Sequence, residues 1–230
     1  MLACNPDGAG CFKASGPLET ATFSVAGFSA IDVSSNIAVN ITSGTVQEVS
    51  VTTGSNLLAG IRVEVVDGVL YLDNLNTCNW TRKYVDPVVD VTAPRLERVT
   101  LRGSGNILST DTLVYDQLKL EALESSGDFY LTVKLNGLNL VTNGLTNFYI
   151  EGTVNQLDLW FYWNDGIFFG EGLQAGLGKI AHYGSNTLHV NVSDSIYGGI
   201  YSFGDVVMHR QIPAALNVVE ESRGQLLFVP

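Results

Sequence analysis

The chain has 230 residues, is 46% hydrophobic and only 15% charged, and carries a formal net charge of −11. That length and apolar content suit one large or two smaller cores and argue against a disordered chain, while the acidic balance opposes a phosphate backbone, whose binding needs clustered Lys and Arg. Twenty-four glycines, only two methionines and many Val, Ile, Thr and Tyr favour strands and turns over helices.

At the N-terminus, Met1-Leu2-Ala3-Cys4 resembles the end of a bacterial lipobox, with Met1 where Leu is usual, and marks Cys4 as a candidate lipid anchor. Lipidation of Cys4 would leave Cys11 and Cys78 as an even pair, suited to a disulfide in an oxidising compartment; two free thiols are the alternative. No apolar run reaches the roughly 18 residues a membrane-spanning helix needs, so any membrane contact is expected through the N-terminal lipid alone. Residues 1–22 are rich in turn formers and are read as a tether, followed by an N-terminal β region over 23–98 and a repeat region over 99–230.

Within 23–98, the segments Ile31-Asp32-Val33, Ile37 to Ile41 and Val49-Ser50-Val51 alternate apolar and polar residues, the period of a half-buried strand. Ile61 to Val65 and Val69 to Leu72 flank Asp67-Gly68, a dipeptide that tolerates positive φ and so predicts a tight hairpin. Asn56-Leu57-Leu58 predicts a short helical turn, and Pro94 is expected to end the strand that contains Val88 to Val91.

From Gly103 onward the chain repeats. Triplets ending at Ile107, Phe129, Phe148, Ile167, Thr187, Val206 and Leu226 are separated by 22, 19, 19, 20, 19 and 20 residues. A fixed period of about twenty residues is the signature of a solenoid, in which no coil buries its apolar face without its neighbours. The middle residue of each triplet is Asn, Asp or Gln in six of seven cases, which predicts corners in left-handed or strained geometry; calcium held at those corners is the alternative and is disfavoured by the scarcity of paired carboxylates.

Taken together, Cys11-Phe12-Lys13, Asn56-Leu57-Leu58, Gly68-Val69-Leu70-Tyr71-Leu72, Cys78-Asn79-Trp80, Val91 to Leu96 and above all Gly103-Ser104-Gly105-Asn106-Ile107 resemble the head GIN domain family. That family occurs largely in Bacteroidetes and is described as autotransporter adhesins, a role inferred for the family. The resemblance implies an all-β, right-handed parallel β-helix-like solenoid that shares the shape of pectin lyases without their catalytic residues. It further implies export, to the outer membrane or cell surface or into the periplasm, and homo-oligomers, trimers in particular. In this sequence the later Gly-Ser-Gly motifs have become Ser126-Gly127-Asp128, Asn143-Gly144-Leu145 and Phe203-Gly204-Asp205.

Chemistry is sparse. The histidines His182, His189 and His209 match no local metal-ligand spacing, no Cys-x-x-Cys occurs, and neither a nucleophile elbow nor a phosphate loop is present, so no catalytic residue, metal or cofactor is expected. The acidic pairs Glu220-Glu221, Asp158 with Asp165 and Glu121 with Glu124 would each serve a glycosidase on charge alone, a weaker reading than solvated surface carboxylates. The most informative stretch is Leu157 to Trp163, where alternation turns Leu157, Leu159 and Phe161 inward and Asp158, Trp160 and Tyr162 outward. Counting five residues back from the triplet ends Ile167, Thr187 and Val206 aligns Tyr162, His182 and Tyr201 in an outward column beside Trp160, suited to a sugar face or to a partner subunit. The sequence therefore points to a non-catalytic adhesin or glycan-binding module facing a host or neighbouring cell, with structural assembly into homo-oligomers as the alternative and a carbohydrate-active enzyme as a weaker one.

Overall fold

The computed structural model describes residues 14–77, 85–162 and 166–229. Cys4, Cys11 and Cys78 lie outside those ranges, as do Trp80, Trp163 and Asp165. The described residues form one sixteen-stranded sheet wound into a solenoid with coils of about twenty residues. Among them the one helical element is a 3-10 turn at Leu58–Gly60, at the predicted helical turn, and no helix is long and apolar enough to cross a membrane.

The regular part of the stack is built from long strands β9 (Ile107–Ala122), β10 (Phe129–Thr142), β11 (Phe148–Phe161), β12 (Phe168–His182) and β13 (Leu188–Ile200). Each pairs in parallel with the next, with Phe129 opposite Phe148, Phe148 opposite Phe168 and Phe168 opposite Leu188. Further along, β14 (Val206–His209) and β15 (Ala215–Glu220) both pair with β13, and β16 (Leu226–Val229) pairs with β14. Alternation then decides the core: Phe129, Phe148, Phe161 and Phe168 are fully buried, with Phe129 and Phe148 stacked at 5.1 Å between ring centroids and Phe161 edge-on to Phe148 at 6.0 Å.

The N-terminal region enters the same stack in an order that the sequence does not display. Strands β2 (Ala30–Val33) and β3 (Ala38–Ser43) form one layer, between a layer of β6 (Val69–Asn74) with β7 (Val88–Ala93) and a layer of β8 (Arg98–Leu101) with the start of β9. The chain thus lays down an inner layer first and then places its outer neighbours on either side. Beyond β6 and β7 the pairing becomes antiparallel, with β5 (Ile61–Val66) on β6, β4 (Glu48–Gly54) on β7, and β1 (Leu18–Phe23) on β4. Asp67 and Gly68 connect β5 to β6 with φ of 50° and 76°, the geometry that the Asp-Gly dipeptide predicts.

Two expectations change here. Residues 18–22 belong to β1 rather than to a tether, because the edge of β4 offers a full antiparallel register from Leu18 opposite Gly54 to Phe23 opposite Val49. The repeated Asn and Asp residues do not occupy left-handed corners, since none of them has positive φ. Four of them reach instead to the next coil: Asn106 Oδ1 accepts the Asp128 N–H at 3.0 Å, Asp128 Oδ1 the Asn147 N–H at 2.9 Å, Asn147 Oδ1 the Ile167 N–H at 3.1 Å, and Asp205 Oδ1 the Gln225 N–H at 2.8 Å. The adjoining glycines are required by close approach: a Cβ on Gly127 would sit on the Gly105 carbonyl oxygen, and one on Gly105 on that of Ile37.

Candidate functional site

The outer surface of the last regular coils carries the aromatic residues that alternation predicted. Leu157, Leu159 and Phe161 are buried, while Asp158, Trp160 and Tyr162 face out. Register carries this outward set across the stack, with Asp158 opposite Lys179 and Lys179 opposite Tyr197, and with Trp160 opposite Ala181 and Ala181 opposite Gly199. One position further on, Tyr162, Tyr183 and Tyr201 stand in a column, their rings stacked at 5.6 Å and then 4.5 Å, and Trp160 lies 6.2 Å from Tyr162. Lys179 places its ammonium 4.9 Å from the Trp160 ring centroid, a cation–π contact.

His182 does not belong to this column. It is fully buried, edge-on to Phe161 at 6.1 Å, and Tyr183 takes the outward place expected for it. The cause is register: the inward residues opposite Phe148 are Phe168 and then Leu188, each one past Ile167 and Thr187, and a slip of one residue exchanges the two faces of a strand. His182 Nε2–H donates to the Asn186 carbonyl at 2.8 Å and Nδ1 accepts the Gly184 N–H at 3.4 Å, which selects the neutral tautomer. Burial holds this imidazole below its ordinary pKa, although the Asn186 bond and nearby Asp205 act in the opposite direction.

A second outer ladder runs along the opening segment of each coil: Tyr130, Tyr149, Phe169 and His189, with centroid separations of 4.7, 4.6 and 5.7 Å and nearly parallel planes. His209 continues it, tilted, at 5.2 Å from His189. The sequence pattern held these residues at the coil period, but local motif spacing could not show them. The same period brings together histidines that match no local ligand spacing: His189 and His209 are twenty residues apart and become neighbours, with Glu171 beside them.

One acidic side chain of each pair considered for glycosidase chemistry is engaged in structural contacts. Glu121 pairs with Lys119 at 2.6 Å and accepts from Thr100 at 2.9 Å, Asp158 accepts from Gln156 at 3.1 Å, and Glu220 accepts the Leu226 N–H at 2.8 Å.

Fold and surface together define a β-solenoid whose repeats set like side chains in exposed rows. Residues 27–211 match the family model described as "Putative auto-transporter adhesin, head GIN domain", and the chain belongs to that family. Among solved structures it is similar to a "putative adhesin" from Bacteroides fragilis, at 20% identity and a TM-score of 0.84, covering 93% of this chain and 97% of that one. It is also similar to a "putative adhesin" from Parabacteroides merdae, at 18% identity and a TM-score of 0.70, covering 93% and 98%. A "putative lipid binding protein" from Parabacteroides distasonis shares the fold at 15% identity and a TM-score of 0.68, covering 94% and 98%. At these identities the likeness shows the fold alone. A search of curated proteins gives no match. The family and these neighbours are described as adhesins or binding proteins rather than as enzymes.

Proposed function

We propose that the chain is a non-catalytic adhesive module of the cell envelope that binds glycans along the surface formed by Trp160, Tyr162, Tyr183 and Tyr201. The observation that carries this reading is the row itself: three stacked tyrosines form a continuous outward column, and Trp160 stands beside it with the small side chain of Ala181 opposite it in register and the Lys179 ammonium near its ring. Sugars pack their C–H faces on aromatic rings while hydroxyls meet polar neighbours, here Asp158 and Lys179. Membership of an adhesin family supports a secreted or surface location, and the lipobox-like Met1-Leu2-Ala3-Cys4 supports attachment through Cys4.

A glycan array probed with the soluble Cys4→Ser chain tests the reading, with the mass in solution recorded in parallel. Selective binding that falls by at least about fivefold and up to about a hundredfold in Trp160→Ala/Tyr183→Ala, as two lost ring contacts of about 0.5–1.5 kcal/mol each imply, supports it. Absence of binding across a broad array, or binding indifferent to that substitution, overturns it.

Assembly is a second reading, favoured by a different place. The final layer exposes Ile212 (67%), Leu216, Val219 (50%) and Phe228, and β16 lies at the end of the sheet order; an open apolar edge is a template for pairing. A stable oligomer dispersed by Phe228→Glu favours assembly through this end, and a monomer at micromolar concentration excludes it.

A further inference from the structure

The coil period that builds the ladders also gathers three metal-ligating side chains. His189 and His209 lie on the outer faces of β13 and β14, and because His189 pairs with Val207, His209 is its diagonal neighbour two residues on. Their ring nitrogens face each other, His189 Nδ1 at 3.0 Å from His209 Nε2. On the opposite flank β12 is irregular: Phe169 pairs with His189 and Gln174 with Asn191, so residues 170–173 face the single residue Val190. A bulge of this kind re-aims a side chain, and Glu171, inside it, brings Oε1 to 3.8 Å from His189 Nδ1. The three ligand atoms all lie within 4.8 Å of one another.

These separations can be compared with coordination geometry. Bonds of about 2.0–2.2 Å to a tetrahedral ion put ligand atoms about 3.3–3.6 Å apart. The observed 3.0 and 3.8 Å lie on either side of that span and the third separation is within 4.8 Å, so rotation about side-chain torsions closes the site without movement of the strands. The Phe169 ring, 5.7 Å from His189 and parallel to within 5°, restrains the imidazole plane.

We propose that Glu171, His189 and His209 form a surface site for a borderline first-row divalent cation such as Zn2+ or Cu2+. Two imidazole nitrogens and one carboxylate select such ions over Ca2+ or Mg2+, which take all-oxygen shells. All three residues are only partly buried, so the remaining coordination position faces solvent and is available to water or to a donor from a bound partner.

Equilibrium dialysis of the untagged chain against Zn2+, followed by metal analysis, reads the stoichiometry, and Co2+ substitution reads the geometry. The expected result is one saturable equivalent per chain, intense visible bands of four-coordinate Co2+, and at least about tenfold weaker binding in both His189→Ala and Glu171→Gln. Unchanged binding in His189→Ala/His209→Ala would place the ion on the cysteines or on scattered carboxylates and overturn the proposal. So would a parent chain that binds neither Zn2+ nor Cu2+ saturably. Because all three side chains lie on the outer face, these variants retain the fold, which circular dichroism verifies.

Discussion

The two ends of the solenoid solve the same problem differently. From β9 onward each coil follows its predecessor in sequence and in space, so equivalent residues fall into columns: Phe129 and Phe148 inside, Tyr130 and Tyr149 outside. In the N-terminal layers neighbouring strands come from distant parts of the chain, as Ala30 beside both Val69 and Arg98, and the layers are joined by specific polar pairs such as Asn40 Nδ2 donating to Asp90 Oδ1 at 2.8 Å. Repetition produces ladders and with them an extended surface; the non-repeating end closes the core through antiparallel β1, β4 and β5. Binding is therefore expected from the repetitive half, and capping from the other.

Core substitutions should break this comparison most visibly. Phe148→Ala removes a ring that stacks on Phe129 and meets Phe161 edge-on, and should cost about 3–5 kcal/mol in chemical denaturation. Phe23→Ala, at the end of the edge strand β1 and only partly buried, should cost about 1 kcal/mol or less. Similar losses at the two positions would mean that the antiparallel end is as integral to the core as the coils. Gly127→Ala should cost about 1–3 kcal/mol, because its Cβ would displace the Gly105 carbonyl and open the contact between coils.

A smaller effect tests the inter-coil ladder. Asp128→Ala orphans the Asn147 N–H and should lower stability by about 1 kcal/mol. An unchanged denaturation midpoint would show that water replaces the bond at no cost.

The buried histidine gives a pH signature. An unfolded His182 takes up a proton near pH 6.5, whereas the folded imidazole resists it to lower pH. The unfolded state then binds more protons, so this contribution is fully present above about pH 6.5 and declines as the pH falls toward the folded value. Measured as the difference between the parent and His182→Gln, stability should diverge less at pH 5.5 than at pH 7.5; a constant difference would contradict the buried neutral tautomer.

Much of this architecture was legible before any coordinates. The twenty-residue period, the Asp67-Gly68 hairpin, the strand stopped at Pro94 and the alternation through Leu157 to Tyr162 all express local rules acting on local residues. What escaped depends on exact register or on distance along the chain. The triplets at Ile167 and Thr187 sit one residue from the true inward positions, which sent His182 outward and hid Tyr183. The Asn and Asp of the triplets signalled a repeat correctly, but their bonds run between coils, where composition gives no direction. The insertion of β2 and β3 between later strands leaves no periodic trace, since their partners lie 39 and 68 residues away for Ala30. His189 and His209 look unrelated until one coil is recognised as the unit of distance.

We propose the Trp160–Tyr201 row, rather than the other exposed aromatic column, as the binding surface. The most direct test compares glycan affinity in Tyr183→Ala with that in Tyr149→Ala, which opens the other outer ladder by a ring of the same size. Weakened binding is expected in the first and parent-like binding in the second. Equal losses, or a loss confined to Tyr149→Ala, would contradict it.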